Sequence, residues 1–194
     1  MEHTRLNEHL EKFLHFSPEE LFSLSEHIKV VPLVKNGLFL KEGEVCTSIA
    51  FVNKGVLTYY KTLDNGDEVT TDFAFEGEWV TNNLSRLNVI PSHLNIKAME
   101  DAELLVINHA DLQNLYVSFP RLERLGRILM EQAYIRLVQL SIDLQTLSAT
   151  ERYIKLLHTY PEILQRVPLY HIANYLGIAP KSLSRIRKTL FTKD

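Results

Sequence analysis

The C-terminal segment, residues 167–194, most constrains what this chain can fold into. Two groups of apolar residues at helical spacing flank Gly177, which supplies the permissive backbone that a tight turn between helices requires. Pro180 follows where a second helix would begin, and proline is tolerated there because the first N–H of a helix has no intrahelical partner. The apolar positions are Ile172, Ala173, Leu176, Leu183, Ile186 and Leu190. The segment therefore predicts two short helices joined by a tight turn.

The second of these helices is expected to be apolar on one face and basic on the other. A helix of this kind fits the major groove of DNA. Lys181 and Arg185 lie one turn apart and are expected to face base edges, and the two serines between them are short enough to contact bases or phosphates. The next two basic residues are expected to meet phosphates, which set affinity rather than sequence preference. The predicted DNA-contacting residues are Lys181, Ser182, Ser184, Arg185, Arg187 and Lys188.

Charge is distributed unevenly along the chain. The net charge is −3, yet residues 150–194 hold eight basic and three acidic residues, against 13 and 21 in the first 149. An acidic body with a basic end fits a protein that touches a polyanion at one end only. The chain has no long uncharged apolar run, which argues against a membrane span. Its N-terminus is charged and it has a single cysteine, Cys46, and both features favour a cytoplasmic protein.

The region between residues 30 and 107 has the pattern of short antiparallel strands. Gly43, Gly55, Gly66 and Gly77 recur at intervals of 12, 11 and 11 residues, and residues 64–66 have the composition of a hairpin turn. The β-rich stretches between the turns are 48–53, 56–63, 68–75, 93–99 and 103–107. This pattern predicts an antiparallel β-roll or jelly-roll barrel.

The longest predicted helix covers residues 120–147, and Ser148 with Glu151 then forms a capping box that starts the next helix. A stripe at a mean spacing near 3.6 residues runs along the long helix: Leu122, Leu125, Leu129, Ala133, Leu137, Leu140 and Leu144. A second apolar stripe points elsewhere, so the helix needs two partners. We expect these to be the barrel and the same helix of a second copy, and we assign the leucine stripe to dimerisation. The alternative is a helix buried within one subunit.

The sequence thus predicts an α+β protein in three parts. Residues 1–119 form a β-roll sensor domain with flanking short helices, 120–147 a dimerisation helix, and 148–194 a winged-helix or helix-turn-helix DNA-binding domain. This order resembles the Crp/Fnr family of bacterial transcription regulators. The most specific matches are IANYLGIAPKSLSRIRK (172–188), GEVCTSIAFVNKGVLTYY (43–60) and the ERY motif (151–153).

The resemblance implies a sequence-specific, homodimeric regulator rather than an enzyme. It implies three partners: double-stranded DNA with a pseudo-palindromic operator, a second copy of the chain, and RNA polymerase. Arg185 matches the base-reading arginine of the family. Lys181 stands where the family has a glutamate, so the base preference should differ there.

The effector site departs from the family pattern. Nucleotide-binding members carry a Gly-Glu-Leu element and an Arg-Ser pair. The positions here that match the first are Thr81, Asn82 and Asn83, and those that match the second are Ser92 with His93, or Pro91 with Ser92 if the match slips by one residue. A buried phosphate without its cation loses roughly 1.5–3 kcal/mol. We therefore expect that cyclic AMP does not control this protein in the usual manner, unless Arg86 reaches in from its loop. No cofactor is predicted, and the effector is unknown.

The same region of the sequence bears on two other functions. Cys46 and His93 are of the residue types that ligate haem, but a core cysteine and a surface or pocket histidine are the simpler interpretation. A cupin-like enzyme needs a metal cluster of histidines, and His93 is the only histidine in the predicted roll. The alternative function is a small-molecule or nucleotide-sensing barrel that acts as an interaction module without DNA.

Overall fold

The computed structural model describes residues 3–191, in which two helices precede the strands and a helical region follows them. The strands are β1 (Lys29–Leu33), β2 (Leu38–Leu40), β3 (Ser48–Lys54), β4 (Leu57–Thr62), β5 (Glu68–Ala74), β6 (Trp79–Val80), β7 (Asn95–Ala98) and β8 (Ala102–Asn108). The helices are α1 (Thr4–Glu11), α2 (Pro18–Glu26), α3 (Asn83–Asn88), α4 (His109–Ser118), α5 (Pro120–Thr146), α6 (Ala149–Thr159), α7 (Ile163–Arg166), α8 (Leu169–Tyr175) and α9 (Pro180–Phe191). The predicted α+β class is confirmed.

The strands form two four-stranded sheets, in the orders β1-β8-β3-β6 and β2-β7-β4-β5. In β3, Ala50 and Val52 point into the core of the barrel, whereas Phe51 between them packs against α1, α2, α4 and α5. This alternation follows from the two-residue period of a strand. The five predicted strands are present, and the predicted turn closes the β4–β5 hairpin with a hydrogen bond from Leu63 N–H to Asp67 O at 2.8 Å.

Contacts divide the chain into two compact units. The first comprises Met1–Tyr59 and Phe73–Tyr134, and the second comprises Tyr60–Asp72 and Ile135–Asp194. The first unit contains an apolar cluster beside the barrel to which the start of α5 contributes. The second contains the end of the β4–β5 hairpin together with the C-terminal helices. Within residues 3–191, no helix combines the length and apolarity needed to span a membrane.

Part of the predicted dimer surface on helix α5 is instead packed inside the chain itself. Leu122 and Leu125 are buried with α1 and α4, and Leu129 is packed against the same cluster. These three residues therefore belong to the core of their own chain. Ala133, Leu137 and Leu144 are exposed, and Leu140 is half-buried. The spacing of apolar residues shows which face of a helix is buried, but it does not show what buries that face. The prediction therefore gave the whole leucine stripe to one interface.

Every regular element between residues 109 and 191 is a helix. No strand follows β8 between residues 109 and 191, so the wing of the predicted winged-helix domain does not form there. Short helix α7 occupies the segment between α6 and α8. The last residues of the predicted domain, 192–194, lie outside the described part of the chain. Helices α8 and α9 are the two short helices, joined by a tight turn, that the sequence predicts.

The start of α6 is fixed by the capping box that the sequence predicts. Glu151 N–H donates to Ser148 Oγ at 3.3 Å, and Ser148 N–H donates to the Glu151 carboxylate at 2.8 Å. These hydrogen bonds lower the pKa of the Glu151 carboxyl. The cap satisfies two N–H groups that would otherwise lack partners at the junction between α5 and α6.

We expect Ser148→Ala to lower the free energy of unfolding by about 1 kcal/mol, because it removes one of these acceptors. Glu151→Gln is the matched variant, since glutamine preserves the reciprocal hydrogen bond. A folded-state pKa below the ordinary value means that the contribution of Glu151 declines as the pH falls below 4.5. Urea denaturation at neutral and acidic pH measures both effects. An unchanged stability in Ser148→Ala at neutral pH would show that the cap is unimportant.

Candidate nucleic-acid interface and effector region

The turn between α8 and α9 is built on Gly177, which has a φ of +67°. Ile178 N–H donates to Ala173 O at 3.0 Å, and Gly177 N–H donates to Asn174 O at 2.9 Å. These two hydrogen bonds form a Schellman motif, whose left-handed position favours glycine. Pro180 is the first residue of α9, as predicted. The turn therefore ends α8 and starts α9 within five residues.

Helix α9 has one buried face and one exposed basic face. Leu183 is buried with Ile172, Ala173 and Leu176 of the preceding segment, and Ile186 is half-buried. On the outer side the structure brings together five of the six predicted DNA-contacting residues, all exposed. They are Lys181, Ser182, Ser184, Arg185 and Lys188. This side therefore presents three cations to solvent.

Arg187 differs from the other predicted contacts. It is half-buried beside Tyr153, a fully buried residue of α6, and its Nε is buried without a partner among the described residues. Burial raises the pKa of the Tyr153 hydroxyl, and neighbouring Arg187 partly offsets the rise. Arg187 therefore contributes to the packing of α9 on α6.

Arg152 of the ERY motif holds the helices of the second unit together, a role that sequence reasoning missed. Its guanidinium donates to Leu147 O at 2.7 Å and to Leu176 O at 3.0 Å. These two carbonyls lie at the ends of α5 and α8. A single cation thus links the C-terminal ends of two helices, where positive charge is favoured. Its position just after a capping box is the sequence signal that marks it.

Asp143 and Lys155 form a second link, between α5 and α6. The hydrogen bond from Lys155, together with one from Gln139 at 2.8 Å, lowers the pKa of the Asp143 carboxyl. Arg136, one turn before Gln139, pairs with Asp72 at 2.6 Å. The polar side of α5 between residues 136 and 143 is therefore engaged by its own chain.

Only some of the predicted effector residues contact one another. Asn82 and Ser92 are both buried, and Asn82 Nδ2 donates to Ser92 Oγ at 2.9 Å. Asn82 Oδ1 accepts from Ser85 N–H and caps α3, while Ser92 Oγ donates to Leu94 O. Thr81 Oγ1 donates to Ser48 O at 2.9 Å. The polar groups nearest the predicted site are thus hydrogen-bonded to one another and to the backbone.

Asn83 and His93 lie apart from this group. His93 is exposed, and Asn83 Oδ1 accepts a 2.8 Å hydrogen bond from buried Arg86. The other end of the Arg86 guanidinium lies 2.8 Å from His109 Nδ1. The pKa of His109 is lowered, mainly by burial and also by the charge of Arg86. A lowered pKa favours the neutral ring, whose Nδ1 can accept a hydrogen bond from the guanidinium. Arg86 is therefore directed toward α4 and not toward Ser92.

The described residues do not assemble a metal site. No group of three or more histidine, cysteine or acidic residues able to hold a metal ion occurs within residues 3–191. Cys46 is buried, and its Sγ donates to Ser48 O at 3.3 Å. His93, by contrast, is exposed.

Comparison with known families identifies the barrel. Residues 30–119 match the cyclic nucleotide-binding domain family. Comparison with curated protein sequences gives no match.

Solved structures extend the comparison to most of the chain. FixK2 from Bradyrhizobium japonicum superposes with a TM-score of 0.72 at 18% identity, covering 86% of this chain and 85% of that one. A transcriptional regulator of the Crp/Fnr family from Eubacterium rectale gives 0.68 at 18% identity, covering 92% and 85%. The chain has a cyclic nucleotide-binding domain within a Crp/Fnr fold. The fold that the sequence resemblance implies is therefore confirmed.

A third structure with the Crp/Fnr fold is the c-di-GMP responsive global regulator CLP of Xanthomonas campestris. It gives a TM-score of 0.68 at 17% identity, covering 91% of this chain and 92% of that one. Two of these neighbours are described as regulators, one as a global regulator and one as a transcriptional regulator.

Proposed function

We propose that this chain is a sequence-specific DNA-binding transcription regulator of the Crp/Fnr type that acts in the cytoplasm as a homodimer. The observation that carries the proposal is helix α9, which presents Lys181, Arg185 and Lys188 to solvent over a buried apolar side. Its position after a tight turn is that of a recognition helix, whose N-terminal residues contact base edges. The Crp/Fnr fold of the neighbours supports the same function. RNA polymerase is the proposed further partner at the promoter.

Binding to random-sequence duplex DNA at a series of salt concentrations tests this proposal. Neutralised phosphates release counterions, so the logarithm of the affinity should fall steeply with the logarithm of the salt concentration. Fluorescence anisotropy of a labelled duplex gives the slope directly. If no salt-dependent binding occurs, the alternative of a sensing barrel that acts as an interaction module without DNA is favoured.

The homodimer is proposed from the surface of α5. From residue 130 onward this helix exposes large apolar side chains: Met130, Tyr134, Ile135, Leu137, Val138, Ile142 and Leu144. Met130, Tyr134, Leu137, Ser141 and Leu144 follow one another at steps of four and three residues, which is the spacing of a coiled-coil seam. The polar side of the same segment is engaged by Asp72 and Lys155 of its own chain. The same seam of a second copy would cover it in a two-fold symmetric dimer.

The predicted independence from cyclic AMP is retained as a proposal. It is supported by the side chains at the matching positions, since Asn82 and Ser92 are hydrogen-bonded to each other and Arg86 is held by Asn83 and His109. A cyclic phosphate placed there would lack a charge-assisted hydrogen bond.

We therefore expect millimolar cyclic AMP to leave the unfolding temperature unchanged and to release no heat in calorimetry, because a ligand that does not bind the folded state cannot stabilise it. Arg86→Gln serves as the matched variant. A rise in unfolding temperature that this substitution abolishes would contradict the proposal and would show that Arg86 turns toward the ligand.

A further inference from the structure

The end of the β4–β5 hairpin packs against helix α8, and the contact is made through the outer edge of strand β5. Strand β5 is the outermost strand of its sheet. Asn174 Oδ1 accepts from Thr70 N–H at 3.3 Å, and Asn174 Nδ2 donates to Glu68 O. The side-chain amide thus pairs with backbone groups on either side of Val69, as a neighbouring parallel strand would. Asn174 therefore covers an edge that would otherwise be open.

Two further contacts fasten the hairpin within the second unit. Thr70 is 3% exposed, and its Oγ1 lies 3.2 Å from His171 Nδ1. On the other side, Arg136 Nη2 donates to both carboxylate oxygens of Asp72 at 2.6 Å. The hairpin is therefore bound to α8 and to α5 at once.

The surface of α8 that the hairpin uses borders the start of α9. A shallow depression of about 170 Å³ is lined by Tyr170, Asn174, Gly177, Ile178 and Pro180. In a helix-turn-helix, the first helix crosses the DNA backbone while the start of the second enters the groove. The polar side chains of α8 that bind the hairpin are thus placed where phosphates would lie.

The charge of the hairpin indicates that it weakens DNA binding. Residues 60–72 contain four acidic residues, Asp64, Asp67, Glu68 and Asp72, and one basic residue, Lys61. Arg136 offsets the charge of Asp72, and the remaining carboxylates, held beside a phosphate-binding surface, repel the DNA backbone. The hairpin therefore both occupies the hydrogen-bonding groups of α8 and opposes the approach of a polyanion.

We propose that the β4–β5 hairpin is an autoinhibitory latch, which holds Asn174 and His171 of α8 and competes with DNA phosphates for that surface. The inference rests on the proposed DNA-binding function. When the latched form dominates, the apparent affinity for DNA is reduced by the fraction of molecules that are open. Substitutions that weaken the hairpin side of the contact raise that fraction and leave α8 and α9 intact.

The test uses the full chain with Thr70→Val and Asp72→Asn combined. The first change removes the hydroxyl that meets His171, and the second removes the charge that pairs with Arg136. The matched control is Asp64→Asn, which removes the same charge from the hairpin turn. We expect the double variant to bind random-sequence duplex about three- to tenfold more tightly than this control in anisotropy at fixed salt.

Hydrogen exchange of the Thr70 amide tests the contact without DNA. Asn174→Ala removes the acceptor, and we expect exchange at Thr70 to accelerate while neighbouring strand amides keep their protection. Unchanged exchange at Thr70 overturns the latch. Wild-type binding to DNA with equal affinities for the double variant and Asp64→Asn also overturns the latch but leaves the DNA-binding function standing. No binding by any variant overturns both.

Discussion

Leu137→Glu is expected to convert the dimer into monomers and to weaken binding to a two-fold symmetric operator by at least about 100-fold. Leu137 lies in the middle of the proposed seam and is 63% exposed in the single chain. A second copy would bury it, and an unpaired carboxylate in an apolar interface costs at least roughly 3 kcal/mol. The loss of one subunit also removes half of the base and phosphate contacts. Analytical ultracentrifugation and anisotropy with an operator selected from a random library measure the two effects.

Gln132→Glu is the matched control for this variant. It adds the same charge to the same helix, but Gln132 is spaced with Arg136 and Gln139 on the polar side. We expect this control to remain dimeric, because its carboxylate stays in water. Circular dichroism of both variants checks that the monomer is still folded. A wild-type protein that sediments as a monomer, or a Leu137→Glu protein that stays dimeric, would contradict the assignment of the seam.

Arg185→Ala is expected to abolish the preference for a selected operator over random DNA. Arg185 is exposed on α9, one turn beyond Lys181. An arginine that donates two hydrogen bonds to guanine provides about 1–3 kcal/mol of discrimination at each half-site, or roughly 5- to 150-fold. Anisotropy with both duplexes at one salt concentration gives the ratio of affinities in wild type and variant.

Lys188→Ala separates base contacts from phosphate contacts in the same experiment. Lys188 is exposed one turn later on the helix, and a phosphate contact there would weaken binding to both duplexes by a similar factor. The ratio of affinities should then remain near its wild-type value. If Arg185→Ala also weakens both duplexes equally, Arg185 is a phosphate contact and does not read a base.

Local features of the fold were predictable because their causes are local. The capping box at Ser148, the left-handed Gly177 and the proline that opens α9 each depend on a few neighbouring residues, and all three occur as the sequence indicates. Three strands, β1, β2 and β6, lie outside the predicted β-rich stretches. Strands β2 and β6 have only three and two residues, too few for a readable period, and β1 contains a proline.

Features that depend on partners distant in sequence were not predictable. Leu122 and Leu125 continue the same helical stripe as Leu137, and only the packing of α1 and α4 shows that they are covered by their own chain. Asn174 was recognised only as part of a motif, because its bonds to the β5 backbone span more than 100 residues. Arg86 has the charge that a phosphate site requires, but its direction is set by His109.

A hydroxyl-radical footprint on the selected operator tests the central claim most directly. A homodimer joined along α5, with one α9 per subunit, should protect two patches related by inverted symmetry and about 34 Å apart on one face of the duplex. The patches should disappear together as the protein is diluted. A single protected patch, or two without inverted symmetry, would contradict a two-fold regulator that reads DNA through α9.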